Sequence, residues 1–158
     1  MKISKNNFDL LEYLPYKLND IAQRSALLLA AQYKHLGISR PQFHVMAFVS
    51  TYPGISPKEV IKMTIMDKSR VTRSIDGLVE KGLLTRKVNP EDKRKFLLSL
   101  TPQGEKMYIK ISTMAGDLQH GFSSSLSKEE KAVLDRALIK MDAVVNQISA
   151  KNRIGEDN

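Results

Sequence analysis

The chain has 158 residues, no cysteine and a formal net charge of +8 at pH 7. This length suits a single domain with a buried core, and the lack of cysteine excludes disulfides, thiolate metal sites and a cysteine redox switch. Every apolar run is far shorter than the ~20 residues of a membrane-spanning helix, and the N-terminus carries no secretory signal pattern. We therefore expect a cytoplasmic protein that contacts no membrane.

The positive charge is concentrated in the middle of the chain. Residues 56–95 contain eleven basic and six acidic side chains, a net charge of +5 in 40 residues, and the other 118 residues carry +3. A basic segment of this kind is typical of a protein that binds a polyanion such as nucleic acid.

A long helix is predicted first, between Leu10 and Gly37, and Pro15 either kinks this helix or marks its start. Ser39 and Gln42 then form a capping box, in which each side chain bonds the backbone N–H of the other residue. This box opens a second helix, which stops at the next Pro-Gly pair.

Two short helices joined by a tight turn follow. The capping box of Ser56 and Glu59 opens the third helix. Asp67 caps the fourth helix, which ends at Lys81 and Gly82, a basic residue followed by a glycine. This arrangement is typical of a helix-turn-helix.

Beyond this point the apolar period changes from helical to two. Residues 84–88 and 96–100 alternate in hydrophobicity around a polar turn, which predicts a β-hairpin with one buried face. Helical periodicity then returns in two long stretches. Thr101 caps the first, which is predicted to break at residues 121–125, and Ser127 begins the capping box of the second.

The order of these elements predicts a mainly α protein, a winged helix-turn-helix whose wing is the small β-hairpin. We expect a single domain over residues 1–158, with a DNA-binding lobe at 39–101. The helices at 1–38 and 102–150 carry more apolar surface than this lobe can cover, and the simplest partner for that surface is a second copy of the chain. The outer helices are therefore predicted to form the dimerisation region of a homodimer.

The fourth helix is the predicted recognition helix, because the second helix of a helix-turn-helix enters the major groove of double-stranded DNA. Arginine can pair with guanine in a bidentate fork, and serine and threonine suit phosphates or bases. The predicted DNA-contacting residues of this helix are Lys68, Ser69, Arg70, Thr72, Arg73 and Ser74. The alternative interpretation is an ordinary solvated helix face.

The polar turn of the hairpin carries charges of both signs. Lys93, Arg94 and Lys95 are expected to reach a flanking minor groove, whose narrow A·T-rich stretches attract arginine. Asp92 would repel phosphate, so its presence needs a reason. It either holds a nearby arginine side chain through a charge-assisted pair or is an ordinary turn residue.

With these motifs the sequence resembles the MarR family of bacterial transcription regulators over about residues 14–148. The segment DKRKFLLSLT matches the family's wing pattern of Asp, any residue, Arg, five further residues and Leu-Thr. The matching positions are Asp92, Arg94, Leu100 and Thr101. The segment MDKSRVTRSIDGLVEKGLLTR is similar to the family's recognition helix and following strand, and GISRPQF to the start of its second helix. Ile65 departs from the small residue that is usual in the helix-turn-helix turn.

The resemblance implies a dimer that is built from the first and the last two helices, binds a pseudo-palindromic operator and usually represses transcription. It also implies release of the DNA by a small effector, often aromatic or phenolic, that binds between the dimerisation region and the DNA-binding lobe. By the same resemblance Arg94 enters the minor groove with support from Asp92. No cofactor is expected.

The first helix, the second helix and the start of the wing would line such an effector cleft. The candidate effector-binding residues are Arg24, Tyr33, Phe43, His44 and Arg86. An arginine there could pair with a carboxylate. Each candidate also has a simpler explanation as a core, surface or interface residue.

Three other classes of function compete with this interpretation. An enzyme would need a paired base and nucleophile, a metal cluster or a glycine-rich phosphate loop, and we expect none. A metal-sensing regulator would need its histidines to meet carboxylates, and only Asp117 and His120 share a helix face. A winged helix used for protein contacts alone would show exposed apolar anchors instead of a basic helix and wing.

Overall fold

The computed structural model describes residues 8–156, with side chains up to Lys151. The elements in chain order are α1 (Leu14–Tyr33), a short 3-10 turn (Lys34–Leu36), α2 (Arg40–Thr51), α3 (Pro57–Met63), α4 (Lys68–Glu80), β1 (Leu84–Val88), β2 (Phe96–Leu100), α5 (Pro102–Ser124) and α6 (Lys128–Glu156). The mainly helical fold with one antiparallel hairpin confirms the predicted fold class. The first seven residues of the predicted dimerisation segment lie outside the described part.

The described chain divides into two compact units, one ending at Gly116 and the other beginning at Asp117. The first contains α1 to α4, the hairpin and most of α5, and the second contains the end of α5 and all of α6. None of the helices in the described part has the length and apolar character needed to cross a membrane. The assignment of the outer helices to dimerisation stays a prediction.

The helix starts follow the predicted caps. Helix α1 begins at Leu14 with Pro15 in its first turn, so the proline marks the start of the helix, where its missing N–H costs no hydrogen bond. The Ser39 capping box at α2 and the Ser56 capping box at α3 are both formed. A third box opens α6, where the backbone N–H of Ser127 donates to the Glu130 carboxylate at 2.8 Å.

The predicted break at residues 121–125 is confirmed, because α5 ends at Ser124, although the helix continues through Gly121 itself. A glycine inside a helix costs only about 1 kcal/mol relative to alanine, and the glycines with a positive φ in the described chain are Gly37, Gly54 and Gly82. The last turn of α5 is instead closed by serine hydroxyls, since Ser124 Oγ donates to the carbonyl oxygen of Gly121 at 3.1 Å.

The hydrophobic core lies in the first unit, around α2, α4 and the base of the hairpin. Its buried residues are Tyr33, Ile38, Val45, Met46, Val49, Ile55, Val60, Val71, Ile75, Leu78, Leu83, Leu84, Leu98 and Ile111. The α4 residues in this set repeat at the spacing of one helix face, so the opposite face of α4 is turned to solvent.

The hairpin is buried only at its base. Leu84 pairs with Leu100 and Val88 with Phe96 in the antiparallel register. Leu84 lies in the core, whereas Val88 is 50% and Phe96 42% exposed. The prediction of one buried face is therefore confirmed for the half of the hairpin nearest α4 and α5 and is wrong for the half nearest the turn, which extends beyond the core.

The chain turns from the wing into α5 through close contacts with the end of α4. The hydroxyl of Thr101 donates to the carbonyl oxygen of Gly82 at 2.7 Å and accepts from the N–H of Gly104 at 3.0 Å. A Cβ atom added at Gly104 would overlap the carbonyl group of Leu83. Glycine at this position therefore allows the wing and α5 to meet.

Replacing Gly104 with alanine should lower the free energy of unfolding by about 1–3 kcal/mol, because the new methyl group forces the backbone of Leu83 to move. The matched control is Gly116→Ala in the same helix, where a Cβ atom meets nothing within 4 Å. This control should raise the free energy of unfolding by up to ~1 kcal/mol. Urea unfolding curves measure both, and equal effects of the two variants would contradict the steric explanation.

Candidate nucleic-acid interface

The solvent face of α4 brings together most of the predicted DNA-contacting residues. Val71, Ile75 and Leu78 are buried, and a shallow concave surface on the other side is lined by Lys68, Ser69, Thr72 and Arg73. The surface includes the N-terminal turn of α4, where unpaired backbone N–H groups and the helix dipole favour an anion. Its chemistry suits phosphate oxygens and base edges.

Ser74 does not belong to this face. The residue is 6% exposed, and its hydroxyl donates to the carbonyl oxygen of Arg70 one turn earlier at 2.7 Å. A serine hydroxyl often satisfies itself in this way inside a helix. The prediction that Ser74 contacts DNA is therefore corrected, because the residue faces the core.

Asp67 fixes the start of α4. Its carboxylate accepts a hydrogen bond from the N–H of Arg70 at 2.8 Å and lies 3.7 Å from the Arg70 guanidinium. The N–H of Arg70 is the main cause that lowers the pKa of Asp67, and the charges of Arg70 and Arg73 lower it further. Arg70 is thus partly engaged at the helix start, whereas no ion pair among the described residues involves Arg73.

Asp92 shapes the tip of the hairpin. One carboxylate oxygen accepts from the backbone N–H of Arg94 at 3.1 Å, and the other lies 3.2 Å from the Lys95 ammonium group. The N–H of Arg94 and then the Lys95 side chain lower the pKa of this carboxyl group. The expected pair with an arginine side chain is not what the structure shows. Asp92 is a turn residue that orients the backbone of Arg94 and leaves its guanidinium free of that carboxylate.

Arg86 lies on β1 of the wing and its side chain reaches α4. Its guanidinium donates to the Asp76 carboxylate of α4 at 2.8 Å and lies 5.7 Å from the centre of the Phe96 ring. Such a distance is within the range of a cation–π interaction. Arg86 therefore contacts α4 and β2 at the same time.

The five candidate effector-binding residues do not form one site in the described chain. Arg24 is an exposed partner of Asp20 at 2.7 Å. Tyr33 is buried and its ring packs 5.6 Å from that of Phe43. Both aromatic residues therefore serve the core, and Arg86 is engaged as described above.

His44 alone borders an open groove, with a volume of about 460 Å³. The groove lies between α2 and the segment that follows α3 and is lined by His44, Ala47, Phe48, Thr51, Tyr52, Met63, Thr64 and Ile65. Burial is the main cause that lowers the pKa of His44, and the charge of Arg40 lowers it further, so both favour the neutral imidazole. The other seven lining residues are not among the predicted effector-binding residues, because the groove joins parts of the chain that are distant in sequence.

The capped helix pair, the basic face of α4 and the hairpin define a winged helix-turn-helix protein. The family model that matches, described as MarR family, covers residues 36–95. The multiple antibiotic resistance protein MarR of Escherichia coli is 30% identical over 142 residues, which are 89% of this chain and 99% of the relative. This chain belongs to the MarR family.

Solved structures agree with this assignment. A crystal structure of a mutant MarR from Escherichia coli complexed with operator DNA has a TM-score of 0.72 at 30% identity and covers 83% of this chain and 94% of that chain. The PcaV transcriptional regulator of Streptomyces coelicolor, solved with its natural ligand, has a TM-score of 0.72 and covers 88% of this chain and 98% of that chain. At 21% identity the second likeness shows the fold alone.

Acidification should remove the charge-dependent part of the Asp67 cap. Because the folded state lowers the pKa of Asp67, the charged carboxylate stabilises the fold above its unfolded pKa, and this contribution is lost as the pH falls through the folded pKa. Asp67→Asn keeps a capping oxygen but has no charge. Its free energy of unfolding should lie below that of the parent near neutral pH and converge with it in acid. A difference that is constant with pH would contradict this assignment.

Proposed function

We propose that this protein is a sequence-specific regulator of transcription that binds double-stranded DNA as a homodimer and represses its target genes. The observation that carries the proposal is the outward basic face of α4, held by the buried opposite face and by the Asp67 cap. The operator-bound MarR relative supports it. We expect the protein to act in the cytoplasm, where chromosomal DNA is accessible.

The proposed recognition uses two grooves. Lys68 and Ser69, at the positive end of the helix dipole, bind phosphates and set the position of α4 in the major groove. Thr72 and Arg73, one turn further along, read base edges, and a free arginine can form a bidentate pair with guanine. At the tip of the wing Arg94 enters the neighbouring minor groove, and the lysines beside it add attraction for phosphate.

The proposed dimer rests on apolar side chains of the outer helices that are exposed in the single chain. These include Leu14, Ile21, Leu27 and Leu28 on α1 and Leu134, Leu138, Val145 and Ile148 on α6. Soluble proteins rarely leave such surfaces uncovered. A two-fold dimer would present two copies of α4 to a pseudo-palindromic operator.

The proposed effector is a small aromatic acid or phenol that binds in the groove beside His44. The walls are mainly apolar, with polar groups from His44, Thr51, Tyr52 and Thr64. A neutral imidazole can donate or accept a hydrogen bond, which suits a phenolic hydroxyl group. Because the groove includes the segment between α3 and α4, an occupant there would act on the approach to the recognition helix.

The DNA proposal is tested by fluorescence anisotropy with promoter fragments at two salt concentrations. Arg73→Ala should weaken operator binding by about 1–3 kcal/mol and relax base preference at the position that it contacts. Arg94→Ala should mainly reduce the preference for the bases flanking the half-sites. The control is Arg136→Ala, which removes the same charge from an exposed position on α6.

Wild-type binding to the operator should also fall steeply with salt, because phosphate contacts release counterions. Equal binding of all fragments would indicate an architectural protein without sequence preference. No binding at either salt concentration would overturn the proposal in favour of a module for protein contacts.

The effector proposal is tested by filling the groove. Ala47→Met adds a larger side chain to a wall of the groove. It should abolish release of the operator by aromatic acids and phenols while leaving operator affinity within about twofold, since the change lies outside the proposed DNA contacts. Release and affinity are measured in the same anisotropy assay. If the variant is released by the same compounds at the same concentrations as the parent, the effector binds elsewhere.

A further inference from the structure

The half of the hairpin nearest the turn receives little support from the core. At the base of the hairpin, the N–H of Leu98 donates to the carbonyl oxygen of Ile55 at 3.0 Å, and Leu84 and Leu98 are fully buried. Further along, Val88 and Phe96 are about half exposed. Something other than apolar burial must therefore set the direction in which the wing tip points.

Arg86 is placed where that control is needed. It lies on the same face of the hairpin as Leu84, two residues further along β1, and its cross-strand neighbour is Leu98. Phe96 is the diagonal neighbour on β2, two residues closer to the turn. The face of the hairpin that is apolar in the core thus continues, beyond the core, as an arginine packed on an aromatic ring.

Asp76 completes the connection to the recognition helix. It lies one turn after Arg73 on α4, and its carboxylate accepts the 2.8 Å hydrogen bond from Arg86. An acidic residue on a DNA-binding helix repels phosphate, so its presence requires an explanation. The side chain of Arg86 is 33% exposed and that of Asp76 is 56% exposed. A pair this exposed contributes little to global stability, so we look for its effect in the position of the wing.

We propose that Asp76, Arg86 and Phe96 form a brace that fixes the wing relative to α4. The inference rests on the proposed DNA-binding function. The brace sets the separation between the major-groove contact of Arg73 and the minor-groove contact of Arg94. Asp76 and Arg86 are thus positioning residues, which act on DNA recognition through the wing and not by touching bases.

The brace and simple electrostatics predict opposite changes in operator affinity for one substitution. Asp76→Asn removes a negative charge beside the DNA, so electrostatics alone predicts tighter binding to every sequence. The brace predicts weaker binding to the operator, because a wing that samples several directions has to be ordered when DNA binds. The two explanations therefore differ in direction and not only in size.

The experiment compares wild type and Asp76→Asn on three DNA duplexes of equal length. The first is the operator, the second has the same half-sites with G·C flanks, and the third is unrelated DNA. We expect Asp76→Asn to reduce the preference for the first duplex over the second by about tenfold, which is about 1.4 kcal/mol. The ratio of the affinities for the second and third duplexes reports the preference for the half-site bases. This ratio should stay within about twofold of the wild-type ratio, because the substitution does not move Arg73.

Two further variants exclude simpler explanations. Asp20→Asn breaks an exposed ion pair on α1 with the same change of charge and should leave the flank preference unchanged. The exchanged pair Asp76→Arg/Arg86→Asp restores an opposite-charge contact at the same place and should recover part of the preference. Urea unfolding confirms that each variant is folded under the assay conditions.

A measurement without DNA tests the brace independently of function. Hydrogen exchange at the amide of Asn89, which donates to the carbonyl oxygen of Lys95 in the closed hairpin, should be faster in Asp76→Asn than in wild type and Asp20→Asn. Unchanged exchange together with unchanged or tighter operator binding would overturn the brace. A third outcome is that the wild type shows no operator preference while the exchange changes as expected. The proposed function then fails, and the role of the brace in DNA recognition fails with it. The contact between the wing and α4 would still be supported.

Discussion

The direction of the polar face of α4 depends on the burial of its opposite face. Val71, Ile75 and Leu78 are in the core, and full burial of each such side chain stabilises the fold by roughly 1.5–3 kcal/mol. The exposed ion pairs of α4 contribute far less. The residues that face DNA in the proposed complex are therefore oriented by residues that never approach it, and the Asp67 cap adds a fixed starting point for the helix.

The same core also holds the wing. Leu84 and Leu98 bring the base of the hairpin against α4, and the hydroxyl of Thr101 ties the end of β2 to Gly82. As a result α4 and the base of the hairpin, the two elements proposed to bind DNA, pack on the same hydrophobic core. The part of the wing that would enter the minor groove extends beyond this core. The direction of α4 is thus set by buried residues, whereas we propose that the direction of the wing tip depends on a few polar contacts.

Features encoded within four residues were predictable from the sequence. The capping boxes at Ser39 and Ser56 and the glycine at position 82 act through local hydrogen bonds and backbone angles, so their residue types identify them. The core position of Ser74 was also open to prediction, since it lies three residues after Val71 and four before Leu78. The serine side chain alone favours contact with DNA, whereas the helical periodicity correctly places Ser74 in the core.

Partner choice among charged side chains could not be predicted in the same way. Arg86 contacts Asp76, ten residues away, only because the hairpin folds back on α4. Asp92 contacts the Lys95 side chain and the backbone N–H of Arg94 and not an arginine side chain. The groove beside His44 likewise joins parts of the chain that are separated by up to 21 residues. These contacts depend on tertiary packing, which a local pattern does not contain.

Four of the six acidic residues of the basic segment acquire a common explanation from these contacts. Glu59 closes the α3 capping box, Asp67 caps α4, Asp76 pairs with Arg86 and Asp92 orders the wing turn. Each of the four accepts a hydrogen bond from a backbone N–H or from a basic side chain, and the basic side chains that they contact are Arg70, Arg86 and Lys95. Arg73 and Arg94 stay outside these pairs. These four acidic residues therefore shape the proposed binding surface, while Arg73 and Arg94 present positive charge on it.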